Sequence, residues 1–247
     1  MKTKQLRILL IGYGKMGRAI EQLALSKGHI IVAIVSDRHT DIANVCHAYQ
    51  PNIAFEFTSP SSAVRNLEIL IQSGIPVVCG STGWMESWDH ISDLAKLQKG
   101  SLFYASNFSM GMNLMFKLTE VAARFMNHLK EYEVQVEEIH HIEKKDMPSG
   151  TALTLTNRLI ANMDHKKIWE LNAPSSGNKI GISCLREPNV PGTHLVTFSS
   201  AIDTIEISHT AHSRNGFAAG ALMAGEWLLT KKGVFGMEDL IGEMFLD

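Results

Sequence analysis

Residues 6–17 read LRILLIGYGKMG, an apolar run followed by three glycines in the spacing G-x-G-x-x-G. The apolar run has the length and composition of a buried parallel strand, and a helical pattern follows the glycines as far as Gly28. In such a turn Gly12 permits the tight bend, Gly14 lets a pyrophosphate approach the backbone, and Gly17 allows close contact between helix and strand. The stretch therefore predicts a nucleotide-binding βα unit whose helix N-terminus faces the phosphates.

A second apolar run follows that helix: residues 29–36, HIIVAIVS, predict another buried strand that ends at Asp37. Asp37 lies 20 residues after Gly17, where an acidic residue accepts hydrogen bonds from the adenosine ribose of a dinucleotide. Arg38 comes next, and it either pairs with a 2′-phosphate, as in NADPH, or is a solvated loop charge. The pattern predicts a nicotinamide cofactor and leaves both NADH and NADPH open.

Strand and helix patterns continue to alternate through the rest of the first half. The next predicted elements are strands at residues 53–57, 76–79 and 102–105, and a helix with Ser59 as N-cap and Pro60 as first residue. Small polar segments follow two of these strands, Gly80-Ser81-Thr82-Gly83 and Ser106-Asn107-Phe108-Ser109. Because a doubly wound sheet binds ligands at the carboxyl ends of its strands, we expect both segments to contact the cofactor.

The second half departs from this alternation. Residues 132–141, YEVQVEEIHH, alternate apolar and polar side chains, as in a strand with one wet face. The other predicted elements are helices at residues 113–129, 151–163 and 217–229 and strands at 179–186, 194–200 and 204–210. Three or four strands with long connections predict an open mixed sheet. The expected fold is α/β: a Rossmann-type doubly wound parallel sheet from residues 1–108 and 212–247, and a second α+β domain from residues 109–211.

Two adjacent histidines stand at the end of the predicted wet strand, in the segment EIHHIEKK. His140 and His141 are expected to point to opposite faces of that strand, and Lys144 follows it. A metal site is one alternative, but neither H-E-x-x-H nor a similar spacing is present, so no metal is expected. Another alternative is that His140 is a hydrogen-bonded structural histidine and that Lys144 is a solvated charge.

The segment MPSGTAL follows directly and predicts an anion site. Ser149 can cap a helix that begins near Thr151, and the N–H groups of Gly150 and Thr151 then point outward with the Thr151 hydroxyl. Proton donors beside such a cradle suit the reduction of a carboxylic acid whose developing negative charge has to be neutralised. We therefore expect the second domain to bind the substrate.

Composition bounds the possible classes of protein. The chain has 247 residues, 45% of them hydrophobic, and a formal net charge of −2, so it can bury a core and offers no electrostatic reason to bind nucleic acid or an anionic membrane. Its 3 cysteines are widely spaced and form no C-x-x-C, which disfavours a disulfide framework or a zinc knuckle. The first apolar run is too short for a signal peptide or a membrane span. A cytoplasmic protein with neither nucleic acid nor membrane as partner is expected.

Along nearly its whole length the chain resembles the dihydrodipicolinate reductase (4-hydroxy-tetrahydrodipicolinate reductase) family. The motifs that carry the resemblance are GYGKMGR, FEFTSP, GSTG, ASNFSMGMN, EIHHIEKKDMPSGTAL, IGISCLRE and GTH. The resemblance implies NADH- or NADPH-dependent reduction of 4-hydroxy-tetrahydrodipicolinate, a small dicarboxylate, to tetrahydrodipicolinate in lysine and diaminopimelate biosynthesis. It also implies a homotetramer assembled through the sheet of the second domain, which closes on the first domain when ligands bind.

The resemblance further implies a role for each matching residue. His140 would donate the proton, with Lys144 as a second acid-stabilising group, and His141, Gly150 and Thr151 would hold the substrate carboxylates. The implied cofactor contacts are Gly12, Gly14, Lys15, Met16, Gly17, Asp37, Arg38, Gly80, Ser81, Thr82, Ala105, Ser106, Asn107 and Phe108. The glycine loop is one residue shorter than is usual in the family and the segment after Asp37 is short, so the resemblance does not choose between NADH and NADPH.

Two other functions are compatible with a nucleotide-binding fold. One is a different two-domain nicotinamide dehydrogenase that acts on an amino or keto acid, and it gives no reason for the PSGT cradle beside the histidines. The other is a non-catalytic nucleotide sensor, which has no need of His140 or Lys144.

Overall fold

The computed structural model describes residues 5–213 and 215–245. The chain divides into two compact units, Met1–Ser109 with Asn215–Asp247, and Met110–Arg214. The predicted domain boundaries, after residues 108 and 211, lie close to this division. Residues 1–4, 214, 246 and 247, which the predicted domain ranges include, lie outside the described part of the chain.

The helices and strands, in chain order, fall into three stretches. Residues 5–109 contain β1 Arg7–Ile11, α1 Lys15–Ser26, β2 Ile30–Val35, α2 Ile42–Tyr49, β3 Ile53–Glu56, α3 Pro60–Gln72, β4 Val77–Cys79, a 3₁₀ turn Met85–Ser87, α4 Trp88–Leu97 and β5 Ser101–Tyr104. Residues 110–213 contain α5 Met110–Met126, β6 Glu133–His140, α6 Gly150–Asn162, β7 Ile168–Leu171, β8 Lys179–Arg186, β9 Gly192–Ser199 and β10 Thr204–Ala211. The last stretch contains α7 Asn215–Leu228, β11 Gly233–Phe235 and α8 Met237–Phe245.

The first unit is built on a six-stranded parallel sheet in the order β11-β5-β4-β3-β1-β2. Strand side chains alternate between two layers of helices: Leu9 and Ala54 are buried among residues of α2, α3 and α4, and Phe55 meets α7. A Cβ atom on Gly225 of α7 would lie 2.6 Å from the Phe55 ring, so this helix approaches the sheet closely only because the residue is glycine. The predicted doubly wound parallel sheet is confirmed.

The strand order reverses between β1 and β3, and this fixes where a ligand can bind. In an open parallel sheet the loops on either side of such a switch point separate, which leaves a crevice outside the carboxyl ends of the strands. The loops after β1, β2 and β3 surround that crevice here.

Two details of the first unit differ from the prediction. The strand predicted as buried, β2, lies at the edge of the sheet with Ile30 and Ile34 exposed. An apolar run does not distinguish a central from an edge strand, because both have the same length and composition. Ser59 does precede α3, but its hydroxyl contacts the hydroxyls of Ser61 and Ser62 at 3.1 and 3.3 Å rather than a backbone N–H group.

The second unit contains a five-stranded mixed sheet in the order β10-β9-β6-β8-β7. Strands β6, β7 and β8 run parallel, and β9 is antiparallel to β6 and β10. Helices α5 and α6 bury one face of this sheet through Met112, Phe116, Leu155 and Leu159. The prediction of an open mixed sheet is confirmed, although it missed β7, a short edge strand with the sequence IWEL.

The register of the second sheet aligns four polar side chains across its strands. Glu138 on β6 pairs with Cys184 on β8 and with His194 on β9, and His194 pairs with His209 on β10. We call these four residues the polar row. Paired residues and residues two apart share a face, so His140 lies on the same face in the next row.

Within residues 5–213 and 215–245, no helix has both the length and the hydropathy that a membrane crossing requires.

Candidate functional site

A cavity of about 630 Å³ lies in the first unit, outside the carboxyl ends of β1, β2 and β3. Gly12 and Gly14 line it from the loop after β1, and Asp37 and Arg38 line it from the loop after β2. These four are cofactor residues predicted from the sequence, and the fold brings them together at the switch point. The position agrees with the general rule for ligand binding in parallel sheets.

The glycine loop has the geometry that a bound pyrophosphate needs. Gly12 has φ +91°, and a Cβ atom there would lie 2.1 Å from the carbonyl oxygen of Phe57. A Cβ atom on Gly17 would lie 2.3 Å from the carbonyl oxygen of Gly12, whereas one on Gly14 would meet no atom within 4 Å. Gly12 and Gly17 are thus required by contacts within the loop, and Gly14 leaves open space for a phosphate.

Basic side chains surround Asp37 at the rim of the cavity. Arg65 on α3 donates from Nη1 to the carbonyl oxygen of Arg38 at 2.6 Å, and Arg38 Nε lies 3.2 Å from His39 Nε2. The carboxylate of Asp37 accepts the backbone N–H of His39 at 3.0 Å. His39 and Arg65 were missed by the sequence reasoning, since Arg65 reaches the rim from a different βα unit.

The remaining predicted cofactor residues lie outside the lining of this cavity. Ser81 is buried and its hydroxyl accepts the N–H of Thr58 at 2.7 Å, while Phe108 is buried with its ring centroid 5.6 Å from that of Phe57. The others are placed in the first turn of α1 or after β4 and β5: Lys15, Met16, Gly80, Thr82, Ala105, Ser106 and Asn107. Their contacts with a cofactor stay predictions.

A fully buried carboxylate, Glu56, lies at the carboxyl end of β3, beside this region. It accepts hydrogen bonds from Asn66 Nδ2 at 3.2 Å and Cys79 Sγ at 3.4 Å, and also from the Thr58 hydroxyl. These donors come from β4, α3 and the loop after β3. Glu56 therefore ties together the segments from which the cavity is built.

The predicted proton donor, His140, is buried at the end of β6. Its Nδ1 lies 3.5 Å from Glu138 Oε2, and its ring stands edge-to-face on His194 at 5.0 Å between centroids. A Cβ atom on Gly192 would lie 3.1 Å from His140 Nε2, so glycine leaves space on that side of the ring. The two ring nitrogens consequently have different surroundings, with a carboxylate near Nδ1 and Gly192 near Nε2.

Glu138 is fully buried and receives donors from three other elements. The backbone N–H of Ser149 lies 3.2 and 3.1 Å from its two carboxylate oxygens, and Nη1 and Nη2 of Arg186 each lie 3.4 Å from Oε1. His194 Nε2 lies 3.8 Å from Oε2. The sequence reasoning missed Glu138, Arg186 and His194, because only the register of three strands brings them together.

The predicted Ser149 cap is confirmed, and α6 begins at Gly150, one residue before the predicted start at Thr151. The hydroxyl of Ser149 accepts the N–H of Ala152 at 3.1 Å and lies 3.3 Å from His194 Nε2. Gly150 is exposed at the first position of α6, and a Cβ atom there would meet nothing within 4 Å. The N-terminus of α6 is therefore capped by Ser149 and open at Gly150, as an anion site requires.

Lys144 lies in the loop after β6 and pairs with Asp146, with Nζ 2.8 Å from Oδ2. Arg186 donates to the carbonyl oxygens of Lys144 and Asp146 at 3.4 and 2.7 Å and so holds this loop in place. The expectation that His140 and His141 point to opposite faces of one strand is wrong, because β6 ends at His140 and does not include His141. His141 lies in the following turn, with Nδ1 3.1 Å from Glu143 Oε2.

Burial and neighbouring charges set the protonation of His140 and of two members of the polar row, Glu138 and His194. Burial lowers the pKa of His194 to about 3, with His140 adding to the effect. Burial also lowers the pKa of His140, which Glu138 raises and which Lys144 and Arg186 lower. Burial alone would raise the pKa of Glu138, but hydrogen bonds from Ser149 and Cys184 outweigh it and the pKa is lowered. At neutral pH an ionised carboxylate thus stands between two neutral imidazoles.

Glu138, His140 and His194 offer ligand atoms within 4.8 Å of one another, which is close enough for a metal ion. The Glu138 carboxylate is already compensated by the Arg186 guanidinium and the Ser149 N–H. A divalent cation there would lie beside a fixed positive charge, so the arrangement favours a hydrogen-bonded network. The absence of a resident metal stays a prediction.

Comparison with known families decides the relationship. The family model described as dihydrodipicolinate reductase, N-terminus, matches residues 6–108, and the one described as dihydrodipicolinate reductase, C-terminus, matches residues 111–241. The chain belongs to the dihydrodipicolinate reductase family. The boundary between the two matched segments lies close to the boundary after Ser109, and the second segment also includes α7 and β11, which return to the first unit. The resemblance inferred from the motifs is confirmed.

Individual members of the family match over their full length. The 4-hydroxy-tetrahydrodipicolinate reductase of Christiangramia forsetii is 41% identical over 241 residues, covering 97% of this chain and 99% of the relative. That of Lawsonia intracellularis is 31% identical, covering 96% and 99%. A dipicolinate-bound dihydrodipicolinate reductase from Paenisporosarcina sp. TG-14 has the same fold, with a TM-score of 0.81, 21% identity, and 96% and 100% coverage.

Proposed function

We propose that this protein reduces 4-hydroxy-tetrahydrodipicolinate to tetrahydrodipicolinate with a nicotinamide cofactor, as a step of lysine and diaminopimelate biosynthesis. The observation that carries the proposal is the arrangement at the end of β6 in a member of the reductase family. A buried imidazole, His140, and the capped N-terminus of α6 lie against the same carboxylate, that of Glu138. An acid and an anion cradle held together suit a dicarboxylate that takes up a proton.

The side chains of the second unit would bind the substrate and supply the proton. The N–H groups of Gly150 and Thr151, with His141 and Lys144, would hold its carboxylates, and His140 would donate the proton. A bound dianion stabilises the protonated imidazole, so substrate binding would raise the pKa of His140 from its lowered value. Lys144 would exchange its pairing with Asp146 for a substrate carboxylate.

The cofactor supplies a hydride, and the first unit has the shape to hold it. The space at Gly14 suits the pyrophosphate, and the helix N-terminus of α1 would face its charge. The hydride supplies both electrons of the reduction, the proton from His140 balances its charge, and the 4-hydroxyl group leaves as water. Phe57 and Phe108 pack against each other after β3 and β5, with their ring centroids 5.6 Å apart.

Both NADH and NADPH are proposed as cofactors. Asp37 favours a free ribose diol, and Arg38, His39 and Arg65 provide positive charge for a 2′-phosphate. Because all four side chains are exposed, each contributes modestly, and neither cofactor is strongly excluded.

A homotetramer in the cytoplasm is the proposed assembly. The sheet of the second unit has one face covered by α5 and α6, and side chains on the other face are exposed: Leu185, Ser199, Glu206, Ser208 and Thr210. A second copy pairing through this face would cover it. Light scattering after size-exclusion chromatography measures the mass, and a monomer of 27.3 kDa would contradict this part of the proposal.

The activity is tested by coupling the purified protein to the synthase that produces the unstable substrate. Oxidation of NADH and of NADPH is followed separately by absorbance. We expect turnover with both cofactors and none when the synthase is omitted. A folded protein that binds the cofactor and oxidises neither in the coupled assay would contradict the proposed function.

A further inference from the structure

The second unit holds a carboxylate that the proposed reaction does not use. Glu138 is fully buried, and its donors come from elements far apart in the chain: Ser149 at the start of α6 and Arg186 at the end of β8. Its own strand places His140 on the same face, two residues on, with Nδ1 3.5 Å from Oε2. Burying an ion is costly, so a carboxylate at this position requires these compensating partners.

Arg186 connects Glu138 to the loop that carries Lys144. Its guanidinium contacts Glu138 at 3.4 Å through two nitrogens and donates to the carbonyl oxygens of Lys144 and Asp146. Through one intermediate residue, Glu138 is therefore connected to the backbone on both sides of Lys145. His140, the N-terminus of α6 and, through Arg186, the Lys144 loop are therefore all arranged around Glu138.

We propose that Glu138 is a positioning residue, which orients the His140 imidazole with its Nδ1–H toward the carboxylate and locks the N-terminus of α6 and the Lys144 loop around it. This inference rests on the proposed function. The remaining nitrogen of His140, Nε2, is then the one that carries the transferable proton beside Gly192. An ionised carboxylate only accepts hydrogen bonds, so it fixes one tautomer of the neutral ring, as a Gln side chain would not.

The charges around His140 come from each element in contact with it. Glu138 and Asp146 favour the protonated ring, and Lys144 and Arg186 disfavour it. His194, from the neighbouring strand, adds a second imidazole at 5.0 Å. Removing the Glu138 charge leaves both cations in place, so the pKa of His140 is expected to fall further.

The test uses Glu138→Gln, which keeps the size of the side chain and removes its charge. We expect kcat to fall roughly 10- to 100-fold, part of the 10²- to 10⁴-fold that a positioned acid supplies. KM for NADH should stay within twofold. The alkaline limb of the kcat–pH profile should move to lower pH, and Glu138→Asp, which restores the charge, should return that limb toward its original position.

A matched control is available in the first unit. Glu56→Gln also removes the charge of a fully buried glutamate, but its donors are Asn66, Thr58 and Cys79 rather than imidazoles. The loss of Tm in this variant measures the general cost of such a substitution. It should leave the titration of His140, followed by NMR, unchanged.

NMR of the wild-type protein gives a readout that does not depend on turnover. The ¹⁵N shifts of labelled histidines, assigned with His140→Gln, report which ring nitrogen is protonated. The proposal requires the Nδ1–H tautomer for neutral His140, and finding the Nε2–H tautomer would overturn it. An unchanged pH profile in folded Glu138→Gln would also overturn it, whereas failure of the coupled assay alone would refute only the proposed reaction.

Discussion

Among the residues that the structure describes, each unit contains one fully buried glutamate, and the two differ in what surrounds them. Glu56 in the first unit accepts hydrogen bonds from an amide, a hydroxyl and a thiol, none of which carries a charge. Glu138 in the second unit is in contact with a guanidinium and lies within 4 Å of two imidazoles. Neutral donors fix the position of a loop, whereas titratable partners also couple a site to the proton concentration.

The two regions also differ in how far their charged side chains are exposed to solvent. The charges at the rim of the nucleotide cavity are exposed, so solvent screens them and each has a small effect. The polar row is buried except at its ends, and its charges interact strongly. Substitutions in the polar row and in the adjoining residues His140 and Lys144 should therefore have larger effects than substitutions at the rim, and they should act on different steps.

The largest effect on kcat is expected for His140, the proposed proton donor, and for Lys144. His140→Gln and Lys144→Met should each lower kcat about 10²- to 10⁴-fold, because general acid catalysis contributes this much. The affinity for NADH, measured by fluorescence titration, should change less than twofold, since the cavity belongs to the other unit. Loss of NADH binding in either variant would show that the two regions do not act independently.

Two substitutions in the glycine loop test the first unit in the same way, by separating stability from cofactor binding. Gly17→Ala should lower the free energy of unfolding by about 1–3 kcal/mol, because its Cβ atom would overlap the Gly12 carbonyl oxygen. Gly14→Ala meets no protein atom and should leave the Tm unchanged while it weakens NADH binding. Thermal unfolding and binding titrations separate the two effects. Equal loss of Tm in both variants would contradict the assigned geometry.

The pH dependence of stability should originate mainly in the second unit. Folded His194 stays neutral down to about pH 3, whereas the unfolded chain binds a proton near pH 6.5, so stability is lost as the pH falls from 6.5 toward 3. One such histidine gives a slope of at most about 1.4 kcal/mol per pH unit. Urea unfolding at several pH values should show a smaller slope for His194→Gln and the original slope for His90→Gln, an exposed control.

The smallest effect is expected at the rim of the cavity. Arg65→Ala should raise KM for NADPH about fivefold and leave KM for NADH nearly unchanged, because an exposed ion pair contributes up to about 1 kcal/mol. Lys96→Ala on α4, away from the cavity, is the control for lost positive charge. An equal rise in both KM values would exclude a role for Arg65 in recognising the 2′-phosphate.

The sequence alone predicted the features that depend on local patterns. The strand, the three glycines and Asp37 lie within 31 consecutive residues, 7–37, and the Ser149 cap acts three positions along the chain. Such features have fixed spacings, so the residues reveal them without the fold.

The features that were missed depend on distant parts of the chain. Glu138, Arg186 and His194 are brought together by pairing across three strands, and nothing in their spacing reveals the register. Arg65 likewise reaches Arg38 across 27 positions. The edge position of β2 and the presence of β7 are set by sheet order, which hydrophobic runs do not encode.

The register of β6 has a consequence for how this protein can change in evolution. Strand side chains alternate between faces, so deletion of one residue between Glu133 and Glu137 would turn both Glu138 and His140 away from their partners. A deletion at Gln135 would also expose Val136, which is buried. Length variation among descendants of this chain should therefore accumulate in the turns on either side of β6, and within the strand it should occur only in pairs of residues.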